Sequence, residues 1–104
     1  MAKKTFKLTR NLKAGMTGED VKKFQHWLNI VQLAYNFSKS YTDGINETGH
    51  FSIFITNIFY HRFLEMIGYP INHIYDKEIH EELCYHVNMA LKSLGNHQDT
   101  WVCK

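Results

Sequence analysis

The stretch "LKAGMTGEDVKKFQHWLN", residues 12 to 29, decides the fold: two glycines three apart run directly into an apolar pattern of helical period. Val21, Phe24, Leu28 and Val31 recur at spacings of three, four and three, which puts them on one face of a helix. Thr17 stands where an N-cap belongs, with Asp20 three residues on. The pair predicts a capping-box-like start that satisfies the first free amides and complements the helix dipole. Trp27 flanks the stripe and either completes the core or rims a groove.

Downstream, residues 36 to 50, "NFSKSYTDGINETGH", are polar and turn-rich, and Asp43-Gly44 supplies a tight turn, so this segment reads as a loop. A second helix is expected from about Ser52 as N-cap, through Ile55, Thr56, Phe59, Tyr60, Phe63 and Ile67, to Gly68 as its C′ residue. Pro70 marks the stop. Asp76 reads as the cap of a third helix of about 18 residues, with Ile79, Leu83, Val87, Ala90 and Leu94 on one stripe and Gly95 after its end. The segment "NHQDTWVCK" that follows has no periodicity and reads as a tail, with Trp101 available to dock on the core. The resulting expectation is an all-α chain, a small three-helix bundle with irregular loops. Its parts are a basic N-terminal arm at residues 1–11, a helical domain at 12–94 and a C-terminal tail at 95–104.

At 104 residues, 44% apolar and 14% aromatic, the chain can build one compact core and is expected to be monomeric. A formal charge of +2 gives no field that would imply nucleic acid or an anionic membrane as partner. The basic residues Lys3, Lys4, Lys7, Arg10 and Lys13 all precede the first acid, Glu19, and read as a solvated arm. The start has no continuous apolar segment of secretory type and no run reaches the length of a membrane span. The expectation is cytoplasmic synthesis without a signal peptide, either as a complete small protein or as an N-terminal module. Cys84 and Cys103 are too few for a disulfide framework; one bridge is compatible with the sequence, but free thiols are expected because a core of this size can fold unaided.

The order of the local signals resembles the peptidoglycan-binding domain family. Leu12, Gly15, Gly18, Asp20, Val21, Gln25 and Leu28 stand in register with the opening of that family. Asp43-Gly44, Phe51-Ser52, Thr56 and Phe63, seven residues after Thr56, follow in the family's order, and "GYPINHIYDKEIHEEL", residues 68 to 83, is similar to its passage from second to third helix. The similarity thus runs over residues 12 to 83. Within it, Ser52 stands for the family's glycine with three residues rather than two before Thr56. Asn72-His73 replaces a second Asp-Gly, Asp76 a glycine, Ile79 a threonine and Leu64 a glutamine. Gly15 and Gly18 would then shape the turn that lets the arm fold back across the helix start. The resemblance implies a bundle of peptidoglycan-binding type and a non-catalytic element, without cofactor, that targets a phage or bacterial wall-lytic system to the cell wall. Its partner would be the glycan or the peptide stem of peptidoglycan. The alternative is a small phage or bacterial module that keeps the fold and binds a protein partner through the basic arm or the long loop.

Sugar recognition needs an apolar face against the ring and polar groups around it. Tyr35, Tyr41, Asp43, Tyr69, Asn72, His73 and Tyr75, from the two loops flanking the central helix, are the candidate glycan-binding residues and could converge on one cleft; the alternative is that Tyr69 and Tyr75 are anchoring side chains packed under the loop. Other chemistries find less support. His80 and Cys84 in "HEELC" lie one helical turn apart, a spacing that permits two zinc ligands, but no third ligand stands at a diagnostic distance in sequence, so a structural His80 and a buried Cys84 are expected and no metal site. Asp43 and Glu47 sit in a turn-rich loop where local hydrogen bonding accounts for them, and no nucleophile with a base and an orienting group can be read. The third helix opens with Asp76, Glu78, Glu81 and Glu82, which argues against a DNA-reading helix.

Overall fold

The computed structural model describes residues 4–103; Lys3, at the head of the basic run, lies outside them. In chain order the elements are β1 (Lys4–Thr5), β2 (Leu12–Lys13), α1 (Glu19–Tyr35), α2 (Ile55–Ile67), β3 (Ile74–Tyr75), α3 (Lys77–Ser93), a 3-10 turn (His97–Asp99) and β4 (Trp101–Val102). The chain is a small helical fold, and its two-residue strands were not expected from the sequence. β1 pairs in parallel with β4, and β2 pairs antiparallel with β3, Leu12 opposite Tyr75. The main helix interface is between α1 and α3, with α2 touching α1 less extensively.

The apolar stripes carry the core. Val21, Phe24, Leu28 and Val31 of α1, Phe59, Tyr60 and Phe63 of α2, and Ile79, Leu83, Val87 and Ala90 of α3 are all buried in one cluster. Trp27 belongs to it too, fully enclosed, so it completes the core and rims no groove. Ile55 and Leu94, at the outer ends of two stripes, remain exposed. Asp76 caps α3 as expected, its carboxylate accepting from the Ile79 amide at 3.1 Å, and Gly68 ends α2 in the left-handed region.

Two helix starts differ from expectation. Gly18, not Thr17, is the N-cap of α1, at φ 148° and with no side-chain cap bond. Thr17 is instead drawn into an antiparallel bridge with His50, flanked by Gly15 N–H donating to Phe51 O at 2.8 Å and Gly18 N–H donating to Gly49 O at 2.9 Å. Asp20 is taken by Arg10, whose Nε donates to it at 2.8 Å, so the arm does fold back over the helix start but through an ion pair. Gly18 is required twice over: its φ disfavours a side chain, and a Cβ there would meet Asp20 Oδ1 at 2.7 Å. In α2 the first helical residue is Ile55, three beyond Ser52. Ser52 still acts as a cap ahead of the helix, its hydroxyl accepting from the Thr56 amide at 2.8 Å.

The arm and the tail are not solvated appendages. Phe6 is 3% exposed and edge-on to Trp27, with ring centroids 4.9 Å apart. Trp101 also packs on Trp27, its ring nearly perpendicular with centroids 5.3 Å apart. The expected free thiols are absent: Cys84 of α3 is bonded to Cys103 beyond β4. The reason is geometric. Asn88 of α3 exchanges two hydrogen bonds with the backbone of Trp101, and this places Cys103 against the helix turn that carries Cys84.

Candidate functional site

The long connection between α1 and α2 owes its shape to a polar stripe on α1 that runs beside the apolar one. Gln25, Asn29 and Gln32, at spacings of four and three, share a helix face. The Gln25 amide nitrogen donates to His50 O at 3.0 Å and to the Thr56 hydroxyl at 3.1 Å, while its oxygen accepts from Gly49 N–H at 2.8 Å. Asn29 brackets Ile45, accepting from its N–H at 2.9 Å and donating to its carbonyl at 2.7 Å. Gln32 does the same for Ser38 and also donates to Tyr41 O at 3.0 Å. Gly44 closes the Tyr41–Gly44 turn at φ +88°, where a side chain is disfavoured, and a Cβ there would lie 2.6 Å from Asn29 Oδ1 and have to displace that amide. His26 and Glu47 add an ion-pair geometry at 3.1 Å on the outer edge. Buried amides that lose a partner cost about 1–3 kcal/mol each, so the three side chains hold the loop in one conformation.

Between this loop and the start of α2 lies an open groove of about 370 Å³. Tyr41 forms one wall, set edge-on against Phe59 at 6.2 Å, and Ile45 and Ile55 supply apolar surface. Asn46, Thr48, His50, Ser52 and Thr56 bring polar atoms to it.

The seven candidate residues do not converge on one cleft. Tyr41 lines the groove, and Asp43 is exposed in the adjoining turn. Tyr35, at the far end of α1, borders a separate depression of about 330 Å³ with Met66, Tyr85 and Met89. Tyr69 and Asn72 line a third hollow beside Pro70 and Asp76, where Asn72 also accepts from the Ile74 amide at 3.0 Å. His73 is exposed and faces His61 at 5.1 Å between ring centroids. Tyr75 is fully buried, its ring 4.3 Å from that of Phe24, and belongs to the core. The second loop is therefore drawn inward at Tyr75 by the β2–β3 pair, and this turns its other side chains away from the groove.

The zinc-like spacing of His80 and Cys84 is occupied by other chemistry. The Phe6 carbonyl, 2.7 Å from His80 Nε2, can only accept, so Nε2 carries the proton and Nδ1 accepts from the Tyr75 hydroxyl at 2.6 Å. Both ring nitrogens are used, and Cys84 is in its disulfide. Burial holds the His80 imidazole below its ordinary value, against the opposing effect of the Phe6 carbonyl; burial also pushes the Tyr75 phenol well up. His61 is lowered by burial and then by His73, and His86 by burial against Glu82. Among the described residues, no group of three or more His, Cys, Asp or Glu is placed to hold a metal ion, and no helix is long and apolar enough to cross a membrane.

The sequence reading missed Gln25, Asn29 and Gln32 as loop anchors, although the signal was present: three uncharged amides at helical spacing, beside an apolar stripe and followed by a long polar loop. Comparisons with family models, with curated proteins and with solved structures find no match to this chain.

Proposed function

We propose that this chain is a non-catalytic three-helix module of peptidoglycan-binding type, which anchors a phage or bacterial wall-lytic system to the cell wall. The observation that carries the reading is the groove at Tyr41, because its back is built by residues that bear the family resemblance. Gln25 and Thr56, 31 positions apart, meet there at 3.1 Å, and Gly15 and Gly18 clamp the same segment through Phe51 and Gly49. An aromatic wall beside hydroxyls and an amide is the combination that sugar recognition needs. A zinc-dependent reaction at His80 and Cys84 is not part of this reading, since that pair is consumed by a disulfide and a buried hydrogen-bond chain.

The test is co-sedimentation of the intact, oxidised chain with insoluble peptidoglycan. The folded protein is expected in the pellet, and Tyr41→Ala is expected to reduce retention severalfold, the loss of about 1 kcal/mol of ring contact. Retention that vanishes with moderate salt yet survives Tyr41→Ala assigns the attraction to the basic arm instead. A folded chain that stays in the supernatant with walls of several chemotypes ends this reading.

A protein partner is the second reading, favoured by one observation. Ile53 and Phe54, where the long loop enters α2, are 63% and 74% exposed, and Ile55 and Ile58 continue the apolar surface. Contiguous exposed apolar side chains mark interaction sites more often than isolated ones do. Phe54→Ser should leave wall retention intact if the glycan reading holds.

A further inference from the structure

We infer that the Tyr41 groove takes an uncharged stretch of the glycan strand, not the charged peptide stem. The inference rests on the wall-binding reading above and narrows it to one chemical class of ligand. None of the nine residues lining the groove carries a carboxylate, an ammonium or a guanidinium group. A carboxylate would need a fixed cation or several converging backbone amides; His50 is the one basic side chain in the lining, and at the adjacent helix start three of the first four amides are already given away. The Thr56 amide is given to Ser52 Oγ at 2.8 Å, the Asn57 amide to Ser52 O at 3.1 Å and the Ile58 amide to Phe54 O at 3.0 Å. The start of α2 is therefore largely satisfied by its own chain, with the Ile55 N–H left over. An ammonium group would be matched by a carboxylate or by several free acceptors; no carboxylate lines the groove, and the Ser52 and Thr56 hydroxyls each already accept one bond from the protein.

What the groove offers is a set of amide and hydroxyl groups that donate and accept, the Asn46 amide among them, the His50 imidazole, and apolar surface on Tyr41, Ile45 and Ile55. A pyranose ring with ether, hydroxyl and acetamido oxygens matches it. Its oxygens accept, and its C–H face and acetamido methyl lie on apolar surface.

The experiment is a titration of the full oxidised chain, followed by amide NMR, with two probes: the N-acetylglucosamine tetramer and a free wall tetrapeptide bearing its carboxylates. The tetramer is expected to shift the resonances of Tyr41, Asn46 and Ile55, with an affinity that changes less than twofold between about 50 and 500 mM salt, because no ion pair is screened. Tyr41→Ala should weaken it about fivefold. Tyr41 packs on Phe59, so the exposed Asn46→Ala is the second variant and should weaken it as well. Shifts at these positions with the tetrapeptide and not the tetramer overturn the inference. So does retention on whole walls that neither variant alters, which leaves the wall-binding reading standing. If whole walls and both probes fail to bind the folded chain, the wall-binding reading falls as well.

Discussion

Two stretches of non-helical chain are tied to the helices by different balances of the same forces. Residues 38–50 are held through hydrogen bonds from Gln25, Asn29 and Gln32 to backbone groups at Ser38, Tyr41, Ile45, Gly49 and His50. The two ends of the chain are held chiefly by large side chains driven into the core, Phe6 and Trp101 around Trp27, and by the Cys84–Cys103 bond, with Asn88 and His80 adding single-residue bonds to the Trp101 and Phe6 backbone. Backbone-directed bonds dictate the conformation of each residue they touch, whereas an inserted ring or a covalent tie fixes one point and leaves its neighbours to follow. The groove lies where conformation is dictated. None of the three hollows described above is lined by residues of the described ends.

The largest expected effect tests the apolar half of that contrast. Trp27→Ala removes the ring that stacks on His80 and packs at steep angles against Phe6 and Trp101, and should cost about 3–5 kcal/mol in urea unfolding. A loss near zero would mean that the ends are held elsewhere.

Next is the covalent tie. Reducing the disulfide frees a loop defined by a separation of 19 residues and should cost about 3 kcal/mol, read as a lower melting temperature in dithiothreitol. Hydrogen exchange at residues 45–50 should stay slow, since that loop is anchored independently. Exchange there that accelerates on reduction would show that the two regions are one cooperative unit.

Gln25→Ala tests the polar half. It leaves Gly49 N–H and His50 C=O without their partner and should cost about 1–3 kcal/mol, with exchange protection lost in 45–50 and the β1–β4 pairing unchanged. Protection that survives would make Asn29 and Gln32 sufficient anchors.

The smallest effect is a pH dependence. His80, His61 and His86 all sit below their ordinary value, chiefly through burial, so the unfolded chain takes up protons that the folded chain refuses. Their contribution is complete above about pH 6.5, the ordinary histidine value, and is lost as pH falls through the folded values. The melting temperature should therefore drop on acidification from neutrality, and less steeply in His80→Gln. An equal slope in that variant would assign the acid sensitivity to His61 and His86.

Much of this arrangement was legible in the sequence. The stripes at Phe24 and Leu28, Phe59 and Phe63, and Leu83 and Val87 are buried where a helical period puts them, because local periodicity and burial obey the same geometry. Asp76 could be read because a cap acts within its own turn. Thr17 could not, since its role was settled by His50, far along the chain. Phe6 was hidden inside a run of lysines, where charge density masked one apolar anchor. The disulfide carried no spacing signal, and its partners meet only because Asn88 holds Trp101. Of the candidate site, Tyr41 alone lies in the groove; Tyr75 was lost to the core through a strand pairing of two residues that no local pattern announces.

The parallel pairing of β1 with β4 has a mechanical consequence. Tension applied at the two ends of the described chain would pull these strands past each other, loading their hydrogen bonds together in shear. Cys103 lies just beyond β4, however, and its bond to Cys84 diverts a pull from the C-terminal side into the middle of α3 before it reaches the strand. In the oxidised chain the helix pair carries the load. Reduction would hand it to two residues of sheet, so the same tether would resist force in one redox state and yield in the other.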